Sequence, residues 1–420
     1  MYSGVSLDQA PPLWVPFRFF VTAPAFGCLG GLYLTGRAEE ILASPLLGPA
    51  IAWVHLWTLG WLAMVMFGAF YQMIPVMIGG QVPLPGWSLW VYLLLAGGTL
   101  SMVLFFETWA SFWAVAALAG LGLAVGLFLV QIAVALARVS GTHRPTLLAM
   151  RLSAASLLLV WLFGWARLGE LAGYFALPGP LREAHFSVAL IGWVGFLVIG
   201  VSYHLIPMFY VCPHFEPTRA FRVLRLIAYG LLGLLVSLGL GASGPWLLPA
   251  GAFIAAGLWL YLVEFRRVVM GRRRKRMDPA LKLLRWAMLG LATSLAGILV
   301  GLTSNHLILS EAAGLLFLFA FALTATHAML YKIFTFLVWF HRYSHQIGKP
   351  GAPLLGDLMS ETQQLRESWA LLVALGLLAL GFLLSSPVIL AFAGLGLAGD
   401  HIYLGYLFLN ALKDPKRVEG

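Results

Sequence analysis

The chain has 420 residues, 61% of them hydrophobic and only 10% charged, against about 25% charged in a soluble domain. A water-facing surface needs far more polar cover, so a large soluble protein is excluded and a polytopic membrane protein is indicated. The net charge of +10 sits mostly in loops, where it reports topology and is no nucleic-acid footprint.

A membrane span takes about twenty predominantly apolar residues. Taken in chain order, twelve stretches qualify, beginning near Phe17, Pro49, Trp87, Ser111, Leu147, Ala184, Val223, Trp246, Leu281, Glu311, Trp369 and Val388. The opening MYSGVSLDQAPPLWVP has no basic n-region and no small-residue cleavage site, so no cleaved signal peptide is expected. Cys28 and Cys212 form neither a disulfide framework nor a CxxC pair and read as structural. Basic loops follow the fourth span (RVSGTHRP), the sixth (Arg219, Arg222, Arg225), the eighth (RRVVMGRRRKR) and the tenth (HRYSHQIGK). Loops after odd spans hold few Lys or Arg. The positive-inside rule then puts the even-numbered loops and both termini in the cytoplasm, in a prokaryotic inner membrane. Membrane lipid is the expected partner, with anionic headgroups an added option at the arginine run.

One pattern is written twice. HLWTLGWLAMVMFGAFYQMIPVM begins at His55, and HFSVALIGWVGFLVIGVSYHLIPMF begins at His185. A displacement of 132 residues lays Gly60-Trp61 on Gly192-Trp193, Gly68 on Gly200, Tyr71 on Tyr203, Gln72 on His204 and Ile74-Pro75 on Ile206-Pro207. Span ten reads as a faint third copy, with His306 and Gly314 but without the tyrosine and the proline. The expected architecture is therefore all-α, with about twelve transmembrane helices in three pseudo-repeated four-helix units. The units cover residues 1–140, 141–275 and 276–420 of a single integral membrane domain.

Spans two, six and ten run from outside to inside, so His55, His185 and His306 lie near their outer ends, at equivalent places in the three units. An ionisable group within a membrane span is a functional hypothesis by default, and imidazole is an axial ligand of haem iron. Gly68 and Gly200 would let a flat macrocycle approach the backbone, or let helices pack closely.

Three four-helix arcs with histidines at the outer ends of the second helices resemble the catalytic subunit of the haem–copper oxidase superfamily. In motif the chain is most similar to cbb3-type oxidases and nitric oxide reductases. The resemblance implies a low-spin haem ligand at His55, followed by Gly68-Ala69, Tyr71 and Pro75. It also implies a second ligand helix at His185, Gly192-Trp193, Gly200, Tyr203 and Pro207, here on the sixth span where the family has its tenth. The topology covers the whole chain, the motifs about fifty residues. The departures bear on function. Ser187 stands where the family has the second histidine of His-x-His, and the sequence holds no adjacent His-His pair for copper and no cluster for non-haem iron. Copper is not expected, and no catalytic residue is assigned.

The remaining candidates were weighed beside these. Arg182 can pair with a haem propionate or be a plain interfacial charge. Trp61 and Trp193 suit haem-edge contacts or packing. Glu311 can orient an imidazole or sit at the outer interface. His204 and His327 lie near the cytoplasmic face, as interfacial residues or as ligands of a second, inner haem. His143, His214, His341, His345 and His401 read as solvated. The midplanes read as nearly all apolar, which argues against a transporter. The expectation is one haem b, with a second allowed, serving electron transfer or NO/O2 chemistry in respiratory metabolism. The donor would be a separate cytochrome c, a cupredoxin or a quinol, because no CxxCH motif attaches one. The alternatives are a haem or metal transporter or assembly factor, and a divergent nitric oxide reductase or terminal oxidase. The oligomeric state is not legible.

Overall fold

The computed structural model describes residues 11–139, 144–177, 179–273, 275–304, 307–346 and 353–413, without the side chains of 144, 302–304 and 307–310. Among them, twelve helices are long and apolar enough to cross a membrane: α1 Trp14–Gly36, α2 Gly48–Ile78, α3 Pro85–Thr108, α4 Ser111–Ala137, α5 Pro145–Leu171, α6 Leu181–Tyr210, α7 Pro217–Gly239, α8 Gly244–Met270, α9 Pro279–Gly301, α10 Glu311–Gln346, α11 Glu361–Leu383 and α12 Pro387–Ala411. The described residues contain no strand. The chain is a polytopic all-α integral membrane protein.

Lipid supplies no hydrogen-bond partner, so each span closes its backbone bonds within itself. The ends are prepared by sequence. Proline opens α7 and α12, where a missing N–H costs nothing. The Glu216 carboxylate accepts from the Thr218 and Arg219 N–H groups, and the Ser386 hydroxyl accepts from Ile389 N. Gly79, at φ 71°, turns the chain out of α2.

Burial separates the helices into two classes. In α2, α6 and α10 the most apolar stretch is 94%, 72% and 78% buried, whereas the other nine reach at most 50%. The nine follow one another around these three in the order α1, α3, α4, α5, α7, α8, α9, α11, α12, and α12 closes on α1. The second helix of each four-helix unit is thus enclosed by nine others. Large apolar side chains such as Phe112, Trp259 and Phe392 point outward from the ring, as lipid-facing positions require.

Each inner helix widens into a π-helix for eight residues, at Leu56–Ala63, Val188–Gly195 and Leu316–Leu323. Such segments are rare and concentrate at functional sites. The second follows the first by 132 residues, and the third follows the second by 128. This register revises two sequence expectations. Tyr331 falls on Tyr71 and Tyr203, so span ten keeps its tyrosine, while Thr335 replaces the proline. His55 falls on Ser187 and Leu315, and His185 falls on Trp53, so the outer histidines are not at equivalent positions. A two-residue offset turns a side chain through more than half of a helix circumference. The two imidazoles therefore leave their helices on different faces.

The closure between α1 and α12 depends on glycine. A Cβ on Gly31 would stand 2.5 Å from the Gly394 carbonyl oxygen and 2.6 Å from the Ala398 nitrogen. Both obstacles are backbone, which cannot rotate away. Gly31→Val is expected to destabilise the protein by about 1–3 kcal/mol, seen as a lower midpoint of thermal unfolding in detergent. An unchanged midpoint would show that the two helices do not cross there.

Candidate functional site

At the end of the bundle where α2 and α6 begin, His55 and His185 face each other. Their ring centroids are 6.3 Å apart and their planes differ by 21°. His55 Nδ1–H donates to the Ile51 carbonyl at 2.7 Å, one turn back on its own helix. His185 Nδ1–H donates to the Val160 carbonyl of α5 at 3.1 Å. These bonds fix the tautomer and leave the lone pair on Nε2 in both rings. Gly164 of α5 seats the His185 ring, since a Cβ there would stand 2.7 Å from Cε1. One metal ion between two imidazoles needs about 2 Å of bond on each side, plus about 1 Å from each nitrogen to its ring centre. The centroid separation is close to that sum, which counts both Nε2 atoms as lying on the line of centres.

The rim is charged. Arg182 of α6 forms an ion pair with Glu311 of α10 and lies 4.0 Å from Glu183. Glu311 is thus occupied by an arginine rather than by an imidazole. Gly68 and Gly200 serve helix packing in this structure. A Cβ on Gly68 would press on Phe19 and Phe20 of α1, and one on Gly200 would overlap Ala149 of α5. Trp193 is buried, sits edge-on to Phe67 at 6.3 Å, and receives the Ser153 hydroxyl on its carbonyl at 2.8 Å. His306 lies outside the described residues, as does His143.

A second set of groups lies deeper, where the sequence reading expected apolar midplanes. Trp61 does not reach toward His55. Its indole stacks on His327 with centroids 4.4 Å apart, stands edge-on to His401 at 4.7 Å, and donates to the Thr326 hydroxyl at 3.1 Å. His327 is not interfacial: it sits midway along α10 and is wholly buried. His401, expected in solvent, is equally buried, because residues 400 and 401 turn into the bundle from α12 against α1 and α2. His327 Nε2 lies 3.6 Å from Glu367 Oε1 and 3.6 Å from Asp400 Oδ2. Both carboxylates are at most 2% exposed. The interior of this bundle is not uniformly apolar.

The other histidines stand apart in kind. His204 is half-buried on α6, in register with Gln72 and with Lys332, whose ammonium pairs with Asp278 at 2.6 Å. His214 and His345 are exposed, as expected. His341 is half-buried and its Nε2–H donates to the Pro11 carbonyl at 2.9 Å, so it is not free in solvent.

Neither Glu367 nor Asp400 is singled out in the sequence, and His401 reads there as solvated. Asp400 and His401 carried a readable signal: adjacent ionisable residues within PVILAFAGLGLAGDHIYLGYLFLNA have no reason to be there unless they work or are partnered. Glu367 was masked by the polar start of its helix, ETQQLRES. No family model matches the chain, and no curated protein matches it.

The Arg182–Glu311 pair ties α6 to α10 at the rim, with side chains 36% and 25% exposed. In a double-mutant cycle with alanine at each position, the coupling read from thermal unfolding is expected to stay at or below about 1 kcal/mol. A coupling of several kcal/mol would mean that the rim is sealed from water.

Proposed function

We infer that the chain binds one haem b between His55 and His185 and carries electrons in the respiratory metabolism of a prokaryotic cell. The observation behind this reading is the facing imidazole pair, with both Nδ1 atoms tied to carbonyls and both Nε2 lone pairs left for a ligand. Two neutral imidazoles are a donor set that haem iron accepts as axial ligands. When bound, a haem would supply a one-electron iron couple, and two imidazole donors would suit it to electron transfer rather than gas binding. His55 and His185 would hold the group, Gly164 keeps the second ring in place, and Arg182, paired with Glu311, would offer a guanidinium to a propionate at the rim. No CxxCH motif is present, so c-type attachment is not part of this reading and haem b is the type proposed.

The distribution of arginines supports an orientation with both termini in the cytoplasm. The histidine pair then lies toward the outer face, where a separate cytochrome c, a cupredoxin or a quinol delivers electrons. Turnover of oxygen or nitric oxide would call for the adjacent His-His pair and the further histidines that this sequence lacks. A transport role draws support from the buried polar groups at mid-depth. Against it, α10 and α12 run through that region as unbroken helices, where a transporter commonly interrupts them.

The test is a set of oxidised and dithionite-reduced absorption spectra with haem quantified on the same samples. Wild type is expected to hold one haem with sharp reduced bands. His55→Ala and His185→Ala should each lose the haem or change its bands, and His341→Ala should match wild type. Unchanged spectra in both ligand variants, or a colourless wild type after haem was supplied during expression, would overturn the reading.

A further inference from the structure

Four ionisable side chains from three helices converge inside the bundle: His327 of α10, Glu367 of α11, and Asp400 and His401 of α12. All are at most 2% exposed. Ligand atoms of His327, Asp400 and His401 lie within 4.8 Å of one another, and Glu367 Oε1 is 3.6 Å from His327 Nε2. Buried polar groups in folded proteins are almost always hydrogen-bonded. Here, among the described residues, His327 Nε2, His401 Nε2 and both oxygens of each carboxylate have no hydrogen-bond partner. Separations of 3.6 Å are beyond hydrogen-bonding distance. They are close to the spacing of about 3.4 Å between two ligand atoms that share a tetrahedral ion at 2.0–2.1 Å.

The local structure aims these atoms. His327 Nδ1–H donates to the Leu323 carbonyl at 3.0 Å and His401 Nδ1–H to the Leu397 carbonyl at 2.8 Å, so each Nε2 keeps its lone pair; His327 Nε2 faces Glu367 and Asp400, while the Cδ2–Nε2 edge of His401 lies against Gly27 of α1. Trp61 stacks on one ring, and Gly27 of α1 lets the other approach so closely that a Cβ would overlap it. With an indole at 4.4 Å on one side and the α1 backbone on another, the space suits a bare ion and not a macrocycle.

Charge identifies the ion. Two carboxylates buried side by side in a membrane bundle repel each other and have no water to screen them. No arginine or lysine among the described residues pairs with either. Two ionised carboxylates, two neutral imidazoles and one divalent cation sum to zero. Mixed nitrogen and oxygen donors suit first-row transition metals such as manganese, iron, cobalt or zinc. We propose that His327, Glu367, Asp400 and His401 form a buried site for one divalent first-row transition-metal ion, separate from the outer histidine pair. The site does not depend on the haem reading: its ligands are different residues, and its metal is counted apart from haem iron.

The experiment uses the full chain, purified without metal-affinity chromatography. Metals are measured by mass spectrometry, haem is measured on the same sample, and Co(II) is then titrated into chelator-treated protein. Wild type is expected to hold one non-haem ion per chain and to show the visible bands of protein-bound Co(II). The paired isosteres Glu367→Gln and Asp400→Asn keep the shape, remove both charges and should abolish binding. Each alone serves where the pair does not fold. Gly27→Ala, which displaces the His401 ring, should weaken Co(II) binding by about 10–100-fold. His55→Ala should keep the ion whether or not it keeps haem. The proposal fails if wild type carries no stoichiometric ion and gives no Co(II) bands, or if a folded Glu367→Gln/Asp400→Asn variant holds as much metal as wild type.

Discussion

Lipid offers neither a hydrogen-bond partner nor a counter-charge, so every polar group carried by the twelve spans has to be satisfied by the protein itself. The ring of nine helices around α2, α6 and α10 is the answer to that constraint. It keeps the outward faces apolar and gathers the inward polar groups in one shielded column. Two other buried polar groups show how the constraint is met by ion pairs and hydrogen bonds. Glu264, 3% exposed, is held by Arg219 at 2.6 Å and by Arg267 at 3.7 Å. Tyr71 donates to Gln131 at 2.7 Å, and the Gln131 amide donates on to the Pro83 and Leu84 carbonyls. Single buried atoms without a partner occur elsewhere, on Trp53, Trp57, Gln72 and Glu264 among others, but around His327 six of them gather in one place, and the ion proposal rests on that.

Much of this was legible. Long apolar runs and punctuating loops located all twelve spans, and one expected start, Ser111, coincides with an observed helix start, whereas the tenth span, expected from Glu311, is already helical from Leu307. Other helices begin earlier than the apolar pattern: α7 at Pro217 rather than near Val223, and α11 at Glu361 rather than near Trp369. Their first turns are polar yet capped, and hydropathy does not see caps. The repeated Gly, Trp, Tyr and Pro residues marked the helices that turned out to be enclosed. The register of the third unit was misread. The π segments align the helices by backbone geometry and leave His55 and His185 at unlike positions, while His306 lies outside the described residues. His401 reads as solvated when considered alone, and Asp400 beside it carries no motif. Their meaning lies in facing His327 and Glu367 across three helices, a distance of more than thirty residues along the chain that no local pattern reports.

The two candidate sites share α2 as a wall. His55 leaves it on one side. On another, Trp53 stacks on Phe319 at 5.1 Å, Trp57 stands edge-on to His401 at 5.1 Å, and Trp61 stacks on His327. These tryptophans are spaced by four, so they form one stripe facing α10 and α12. From His55 to Trp61 is about 9 Å along the helix axis. A single enclosed helix therefore contributes a histidine to the outer pair and a packing surface to the inner group. This gives a structural reason for its near-complete burial.

The central claim is that His55 and His185 together close both axial positions of one iron. Electron paramagnetic resonance of the oxidised, purified wild-type protein addresses it most directly. Two imidazoles on one ferric haem predict a low-spin signal that accounts for all the haem in the sample. A high-spin signal of the same intensity would mean that one axial position is open, and would contradict the paired-ligand account.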